Sequence, residues 1–102
     1  MVAAKIDIPA ERIADFCRKW KIRELALFGS VLRDDFNPES DVDVLYTMMP
    51  DAPFDFDIYW EMKEELEKIF GREVDLVKKG TIENPFRRAH IMKNMRVIHA
   101  AQ

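Results

Sequence analysis

The apolar positions in the first half of the chain change from a helical to a strand-like spacing. Between Pro9 and Trp20 they recur every three or four residues, which predicts a helix over about residues 9–20 with Pro9 at its first position. The run "IRELALF", residues 22–28, predicts a strand that Gly29 ends. A short helical or turn segment over residues 30–36 and a loop over residues 37–40 are expected next.

The second half repeats this alternation of strands and helices. "DVDVLYTM", residues 41–48, predicts a second strand, and the i, i+4 rhythm of Ile58, Met62 and Leu66 predicts a helix over residues 54–70 that ends at Gly71. A third strand is expected over residues 72–79, a helix that starts at Asn84-Pro85, and a short last strand over residues 96–100. The order predicts an α/β (α+β) fold, a mixed sheet flanked by helices.

Composition limits the classes of protein to consider. With 102 residues, 48% of them hydrophobic, the chain is expected to form one folded domain over residues 1–102. Its net charge of -3 gives no electrostatic reason to expect nucleic acid binding, and no apolar run approaches the roughly 20 residues of a membrane span. Cys17 is the single cysteine and is expected to be a small buried residue, which agrees with a cytoplasmic protein.

Two aspartates at the start of the second predicted strand indicate chemistry. Residues two apart in a strand point to the same face, so Asp41 and Asp43 are expected to project together while Val42 and Val44 face the core. Two ionised carboxylates repel each other unless a cation or hydrogen-bond donors intervene. Oxygen ligands favour Mg²⁺, with Mn²⁺ as an alternative, and Mg²⁺ typically couples protein carboxylates to substrate phosphates.

Three further residues extend this acidic pair into a predicted nucleotide site. If the second and third strands are neighbours, Asp75 can join the pair, and three carboxylates can hold two metal ions about 4 Å apart. Gly29 allows close approach of the backbone to a phosphate, and the Ser30 hydroxyl can bind phosphate oxygens.

These residues carry a family resemblance. Gly29-Ser30, ten intervening residues, Asp41-x-Asp43 and the later Asp75 resemble the DNA polymerase β-type nucleotidyltransferase superfamily, specifically its minimal nucleotidyltransferases. The stretch "GSVLRDDFNPESDVDVL" is similar to the antitoxin members that are encoded beside HEPN-domain toxins. The resemblance extends over essentially the whole chain and implies the polymerase β-like fold.

The resemblance also implies a role for each motif residue. Gly29 and Ser30 would hold the nucleotide phosphates, Asp41 and Asp43 would bind metal, and Asp75 would complete the metal site and help to activate the acceptor hydroxyl. Arg33 is a secondary candidate for phosphate binding; the alternative is that it pairs with the adjacent Asp34 and Asp35 at the surface.

The function implied by the resemblance is transfer of a nucleoside monophosphate, with AMP from ATP as the leading case. The acceptor would be a tyrosine hydroxyl of a HEPN-type toxin, which makes the chain the antitoxin of a toxin-antitoxin pair. Two alternatives stay open. The chain could neutralise its partner by contact alone, or it could modify a small molecule such as an aminoglycoside.

Two surface features are less directly tied to this chemistry. Phe56, Tyr59 and Trp60 enlarge the apolar surface of the long helix, which makes that region a candidate for partner binding or for homodimer formation. The basic run "RRAHIMKNMR", residues 87–96, is interpreted as the solvated side of a helix that packs on the sheet, and His90 and His99 are not expected to bind metal.

Overall fold

The computed structural model describes residue 6 and residues 8–33, 36–37 and 39–101. Every predicted helix and strand is present in this part of the chain, including the last strand, and the predicted α/β fold class with a mixed sheet is confirmed. The helices are α1 (Ala10–Trp20), α2 (Phe56–Phe70) and α3 (Pro85–Asn94), the strands are β1 (Ile22–Phe28), β2 (Val42–Met48), β3 (Val74–Lys78) and β4 (Arg96–Ala100), and a short 3-10 helix (Gly29–Leu32) follows β1.

The four strands form one sheet in the order β3-β2-β1-β4. β1 pairs antiparallel with both β2 and β4, whereas β2 and β3 pair in parallel. Parallel strands need a crossover connection, and α2 supplies it here. The amino ends of β2 and β3 therefore lie at the same end of the sheet. The carboxyl end of β1 lies there too, because β1 runs in the opposite direction.

The two faces of the sheet are covered unequally. On one face the buried residues of β2, Val42, Val44 and Tyr46, join the main core together with Met62 and Leu66 of α2. On the other face a smaller cluster is formed by Ala26, Phe28, Leu45, Ile82 and Ile91, the last of these from α3. α3 is the helix that covers the second face in the described part of the chain. No described helix is long and apolar enough to cross a lipid bilayer.

The first residues of α1 and α2 differ by one or two positions from the predicted ones. α2 begins two residues later than predicted because Asp55 caps it, accepting a hydrogen bond from the Ile58 N–H at 2.9 Å. Pro9, expected at the first helical position, lies one residue earlier as the N-cap of α1. Cys17 is buried in the main core, as predicted.

Candidate active site

The parallel pairing of β2 and β3 places two of the predicted acids side by side. Asp43 lies opposite Asp75 in the register of the two strands, which run about 4.8 Å apart in a sheet. Val74 and Leu76 are buried in the main core, so Asp75 points to the opposite face, as the alternation of β3 predicts. Asp43 shares that face, because its neighbours Val42 and Val44 are also buried in the main core. The carboxylates therefore lie on the thinly covered face of the sheet.

Asp41 lies just before this pair. β2 begins at Val42, one residue later than predicted, and Asp41 is an exposed residue at the sheet edge. The Val42 N–H donates to the Glu73 carbonyl at 2.9 Å, which joins the segment that carries Asp41 to the segment that precedes β3. Asp41 is close enough for its charge to act on Asp43. The three predicted acids are thus neighbours, although Asp41 is not part of the strand.

The environment of Asp43 is unfavourable for its negative charge. Partial burial raises the pKa of its carboxyl above the usual value, and the charges of Asp75 and Asp41 raise it further. The guanidinium groups of Arg33 and Arg87 lower the pKa and so offset part of this effect. A carboxylate held beside two others is a site where an added cation is strongly stabilised.

Gly29 contacts Asp43 more closely than any other residue type could. Its φ of +77° lies in the left-handed region, and a β-carbon built on it would overlap Asp43 Oδ2. The role predicted for Gly29 from the sequence is to let the backbone approach a phosphate. The structure adds a second reason, which is that the absent side chain leaves room for the Asp43 carboxylate.

Ser30 and Arg33 follow in the turn that leads away from β1. Ser30 belongs to the 3-10 helix, and its carbonyl accepts a hydrogen bond from the Arg33 N–H at 2.9 Å. Arg33 is exposed, and its positive charge lowers the pKa of Asp43. Asp34 and Asp35, the alternative partners of Arg33, lie outside the described residues.

The residues present fit a metal ion that is shared with a substrate. Within the described ranges, no group of three or more Asp, Glu, His or Cys side chains is arranged so that the group alone could hold a metal ion. The predicted site for two metal ions, with Asp41, Asp43 and Asp75 as ligands, therefore stays a prediction. Mg²⁺ in proteins usually takes only one or two carboxylates, and substrate phosphates and water complete its coordination. Asp41 and Asp43 can supply that number.

Arg87 was not predicted as a site residue. The basic run of α3 was assigned to the solvated side of the helix, yet the Arg87 charge acts on Asp43. The burial of Ile91 against the sheet, which the structure supplies, identifies the position of Arg87, since Arg87 lies four residues before Ile91. Residues spaced by four lie on the same side of a helix.

Two of the three aromatic residues predicted to enlarge the apolar surface of α2 are exposed. Phe56 is 78% exposed and Trp60 is 53% exposed, whereas Tyr59 is half-buried and its hydroxyl donates to the Leu76 carbonyl at 2.8 Å. Phe54 stacks on Tyr46 near the carboxyl end of β2, with ring centroids 6.3 Å apart. We call Phe54, Phe56 and Trp60 the aromatic surface. It belongs to the opposite end of β2 from Asp41.

A groove lies on the face of the sheet opposite the carboxylates. This groove, of about 750 Å³, runs between α1 and α2 and is lined by charged residues such as Lys19, Glu65 and Lys68. Glu65 accepts hydrogen bonds from Trp20 Nε1 at 2.6 Å and from Lys19 Nζ at 3.3 Å. These contacts join α1 to α2 across the groove.

Comparison with known proteins identifies the family of this chain. The sequence model of the family described as nucleotidyltransferase domain matches residues 11–98. A Methanocaldococcus jannaschii protein provisionally named a protein adenylyltransferase is 38% identical over 76% of this chain and 77% of its own length. The protein adenylyltransferase MntA of Thermococcus cleftensis is 33% identical over 65% of both chains.

Solved structures share the fold. A toxin-antitoxin structure with AMP-PNP superposes with a TM-score of 0.71 at 20% identity, covering 93% of this chain and 76% of that one. A complex of the tri-AMPylated Shewanella oneidensis HEPN toxin with its MNT antitoxin gives a TM-score of 0.62 at 20% identity, covering 91% of this chain and 71% of that one. With the family model spanning both the glycine-serine turn and the three acids, this chain belongs to the nucleotidyltransferase domain family.

Proposed function

We propose that this protein is a metal-dependent protein adenylyltransferase that transfers AMP from ATP to a hydroxyl of a toxin partner. The main structural support for this proposal is the contact of Gly29 with Asp43, which lies next to Asp75 on an open face of the sheet. The turn proposed to bind phosphate and the acid proposed to bind metal are therefore adjacent. Relatives named protein adenylyltransferase support transfer to a protein rather than to a small molecule.

The proposed roles follow from position and charge. Asp41 and Asp43 would hold Mg²⁺, or Mn²⁺, while Gly29 and Ser30 bind the phosphates of ATP. When bound, the metal ion supplies positive charge that neutralises the phosphates and orients them. Asp75 lies beside Asp43 and is exposed, so it is available to accept a proton from the acceptor hydroxyl and to complete the metal site.

The proposed transfer is a nucleophilic substitution at the α-phosphorus of ATP. The acceptor oxygen forms a bond to this phosphorus, and the bond from the phosphorus to the bridging oxygen of pyrophosphate breaks. The electron pair leaves with pyrophosphate, and the hydroxyl proton passes to the Asp75 carboxylate. The products are the adenylylated hydroxyl and pyrophosphate.

The partner proposed is a HEPN-type toxin, with a tyrosine as the acceptor. Shewanella oneidensis provides a toxin of this type that is tri-AMPylated and bound to its MNT antitoxin. A tyrosine hydroxyl on a flexible or protruding segment could reach Asp75, because the carboxylates lie on the exposed face of the sheet.

Contact alone is the second candidate, and the aromatic surface favours it. Exposed Phe56 and Trp60 could bind a partner without any chemistry at the carboxylates, because they lie near the other end of β2, a strand of about 20 Å. The two functions differ in whether the mass of the partner changes.

Intact-mass measurement of the partner separates the two candidates. A HEPN-type candidate partner, sought among the open reading frames beside this gene, is incubated with the protein, Mg²⁺ and each nucleoside triphosphate in turn. A mass increase of one or more AMP units with ATP supports transfer. Asp43→Asn should abolish the increase, and Glu61→Gln, which removes an exposed carboxylate from α2, should retain it. An unchanged mass with toxicity still suppressed would leave contact as the function.

A further inference from the structure

We propose that Arg87 of α3 binds the β- and γ-phosphates of the nucleoside triphosphate and so belongs to the substrate site. The inference rests on the proposed function. It adds a residue from α3, an element that lies outside the glycine-serine turn and the three acids.

The packing of α3 directs Arg87 toward the carboxylate face. Ile91 is only 5% exposed and packs in one cluster with Phe28 and Leu45 of the sheet. Phe28 directly precedes Gly29, and Leu45 lies two residues after Asp43, so this cluster borders the site. Arg87 lies one helical turn before Ile91 on the same side of α3. Arg87 therefore lies on the side of α3 that faces the sheet surface carrying the carboxylates.

The Arg87 guanidinium is available for a ligand. The side chain is exposed, and in the described part of the chain it forms no ion pair or hydrogen bond with another residue. The adjacent Arg88 differs, because its Nη1 donates to the Ile82 carbonyl at 3.5 Å. The Phe86 and Arg87 N–H groups both donate to Asn84 Oδ1, at 2.9 and 3.1 Å. The helix amides are thus already satisfied, and a phosphate near this turn would be bound by the guanidinium.

The negative charge of the site favours a positively charged group beside the triphosphate. Arg87 lies on the side of α3 that packs against the carboxylate face, and its positive charge lowers the pKa of Asp43. A bound triphosphate adds several negative charges beside three acids. Arginine suits this position because its planar guanidinium can donate two parallel hydrogen bonds to phosphate oxygens. Negative charge grows on pyrophosphate as its bond to the α-phosphorus breaks, and a fixed cation stabilises that charge.

Calorimetry with two nucleotides tests the assignment. Wild type, Arg87→Gln, Arg87→Lys and the control Lys93→Gln are titrated in Mg²⁺ with a non-hydrolysable ATP analogue and with AMP. Lys93 suits as a control because it is exposed, carries the same charge and lies in the last turn of the same helix. Arg87→Gln should weaken binding of the ATP analogue about 10- to 100-fold and leave AMP binding unchanged within error. Arg87→Lys should fall in between, and Lys93→Gln should match wild type.

The outcomes distinguish this inference from the proposed function. Wild-type binding of the ATP analogue with no weakening in Arg87→Gln overturns the assignment of Arg87 alone. Equal weakening for the ATP analogue and AMP also overturns it, because a ligand of the β- and γ-phosphates has nothing to bind in AMP. Wild-type protein that binds no nucleoside triphosphate overturns the proposed function together with the inference. Thermal melting of each variant confirms that the protein titrated is folded.

Discussion

The Asp43 carboxylate occupies the space that a β-carbon on Gly29 would need. The two residues meet because Phe28 pairs with Asp43 across β1 and β2, which brings the end of one strand beside the start of the other. The turn that is expected to bind phosphate and the acid that is expected to bind metal are in direct contact. A change at either residue therefore alters both.

Gly29→Ala should reduce nucleotide binding and transfer together. The new methyl group must displace the Asp43 carboxylate, and alanine is disfavoured at a φ of +77°. The backbone strain of about 1–2 kcal/mol should also lower the melting temperature by several degrees. Calorimetry with an ATP analogue and Mg²⁺, transfer assays and thermal melting measure the three effects.

Gly71→Ala provides the matched control for that substitution. Gly71 ends α2 with a φ of +69°, and a β-carbon there meets nothing within 4 Å. The control should therefore lose a similar amount of stability while it retains nucleotide binding and transfer. Equal activity in the two alanine variants would show that the contact with Asp43 has no functional consequence.

The elements could be predicted from the sequence because their periodicities are unbroken. The alternation of Val42 and Val44 with Asp43 locates β2 and one of its faces, and Ile58, Met62 and Leu66 locate α2. The sequence does not show that β2 and β3 are neighbours, so the addition of Asp75 to the site depended on an assumed pairing of these strands. It depends on how α2 crosses the sheet, which is a property of the tertiary fold and not of either strand.

The contacts that refine the site were not predictable for a related reason. Nothing local to Gly29 shows that the Asp43 carboxylate fills the space beside it, because the two residues are brought together by strand pairing. The sequence predicts a helix that packs on the sheet through Ile91, Met92 and Met95 with its charged residues toward solvent, and it does not separate Arg87 from the other basic residues of that run. The burial of Ile91 is what identifies the side of α3 that faces the sheet.

Asp43→Asn should stabilise the protein in the absence of metal and nucleotide. Burial and the charges of Asp75 and Asp41 raise the pKa of Asp43, so its ionised form costs folding free energy at neutral pH. The neutral amide removes that cost and should raise the melting temperature by a few degrees. The same substitution should abolish transfer, which is the expected trade of stability for function at an active site.

The pH dependence of this stabilisation has a defined sign. The pKa of Asp43 is higher in the folded protein than its ordinary value of 3.8. The advantage of Asp43→Asn should be full above the folded-state pKa and should vanish as the pH falls below 3.8, where the wild-type carboxyl is protonated in both states. Thermal melting of both proteins between neutral and acidic pH measures it. A difference that grows on acidification would contradict the assigned charge repulsion.

Asp75→Asn should separate nucleotide binding from transfer. Asp75 is exposed beside Asp43 and is assigned to accept the hydroxyl proton, a contribution of about 10²- to 10⁴-fold for a general base. We expect kcat to fall by about this factor, with the affinity for ATP less affected. Asp41→Asn is the comparison, because loss of a metal ligand should weaken Mg²⁺-dependent binding of ATP. A loss of ATP affinity in Asp75→Asn as large as in Asp41→Asn would show that Asp75 acts mainly as a metal ligand and would contradict its assignment as the main proton acceptor.

Phe56→Ser combined with Trp60→Ser should weaken partner binding or self-association and leave the nucleotide site intact. Both side chains are more than half exposed, so they contribute little to the core, while large aromatic residues commonly dominate interface energies. Loss of one such anchor typically costs about 2 kcal/mol, or about 30-fold in affinity. Light scattering of the protein alone and calorimetry with the HEPN-type partner measure the two assemblies.

Phe86→Ser is the control for this pair, since Phe86 is 86% exposed but lies on α3 outside the aromatic surface. It should leave self-association and partner affinity unchanged. Nucleotide affinity should be equal to wild type in the double variant, because the aromatic surface and the carboxylates lie near opposite ends of β2. Unchanged assembly in the double variant would show that Phe56 and Trp60 take no part in binding the partner or in self-association.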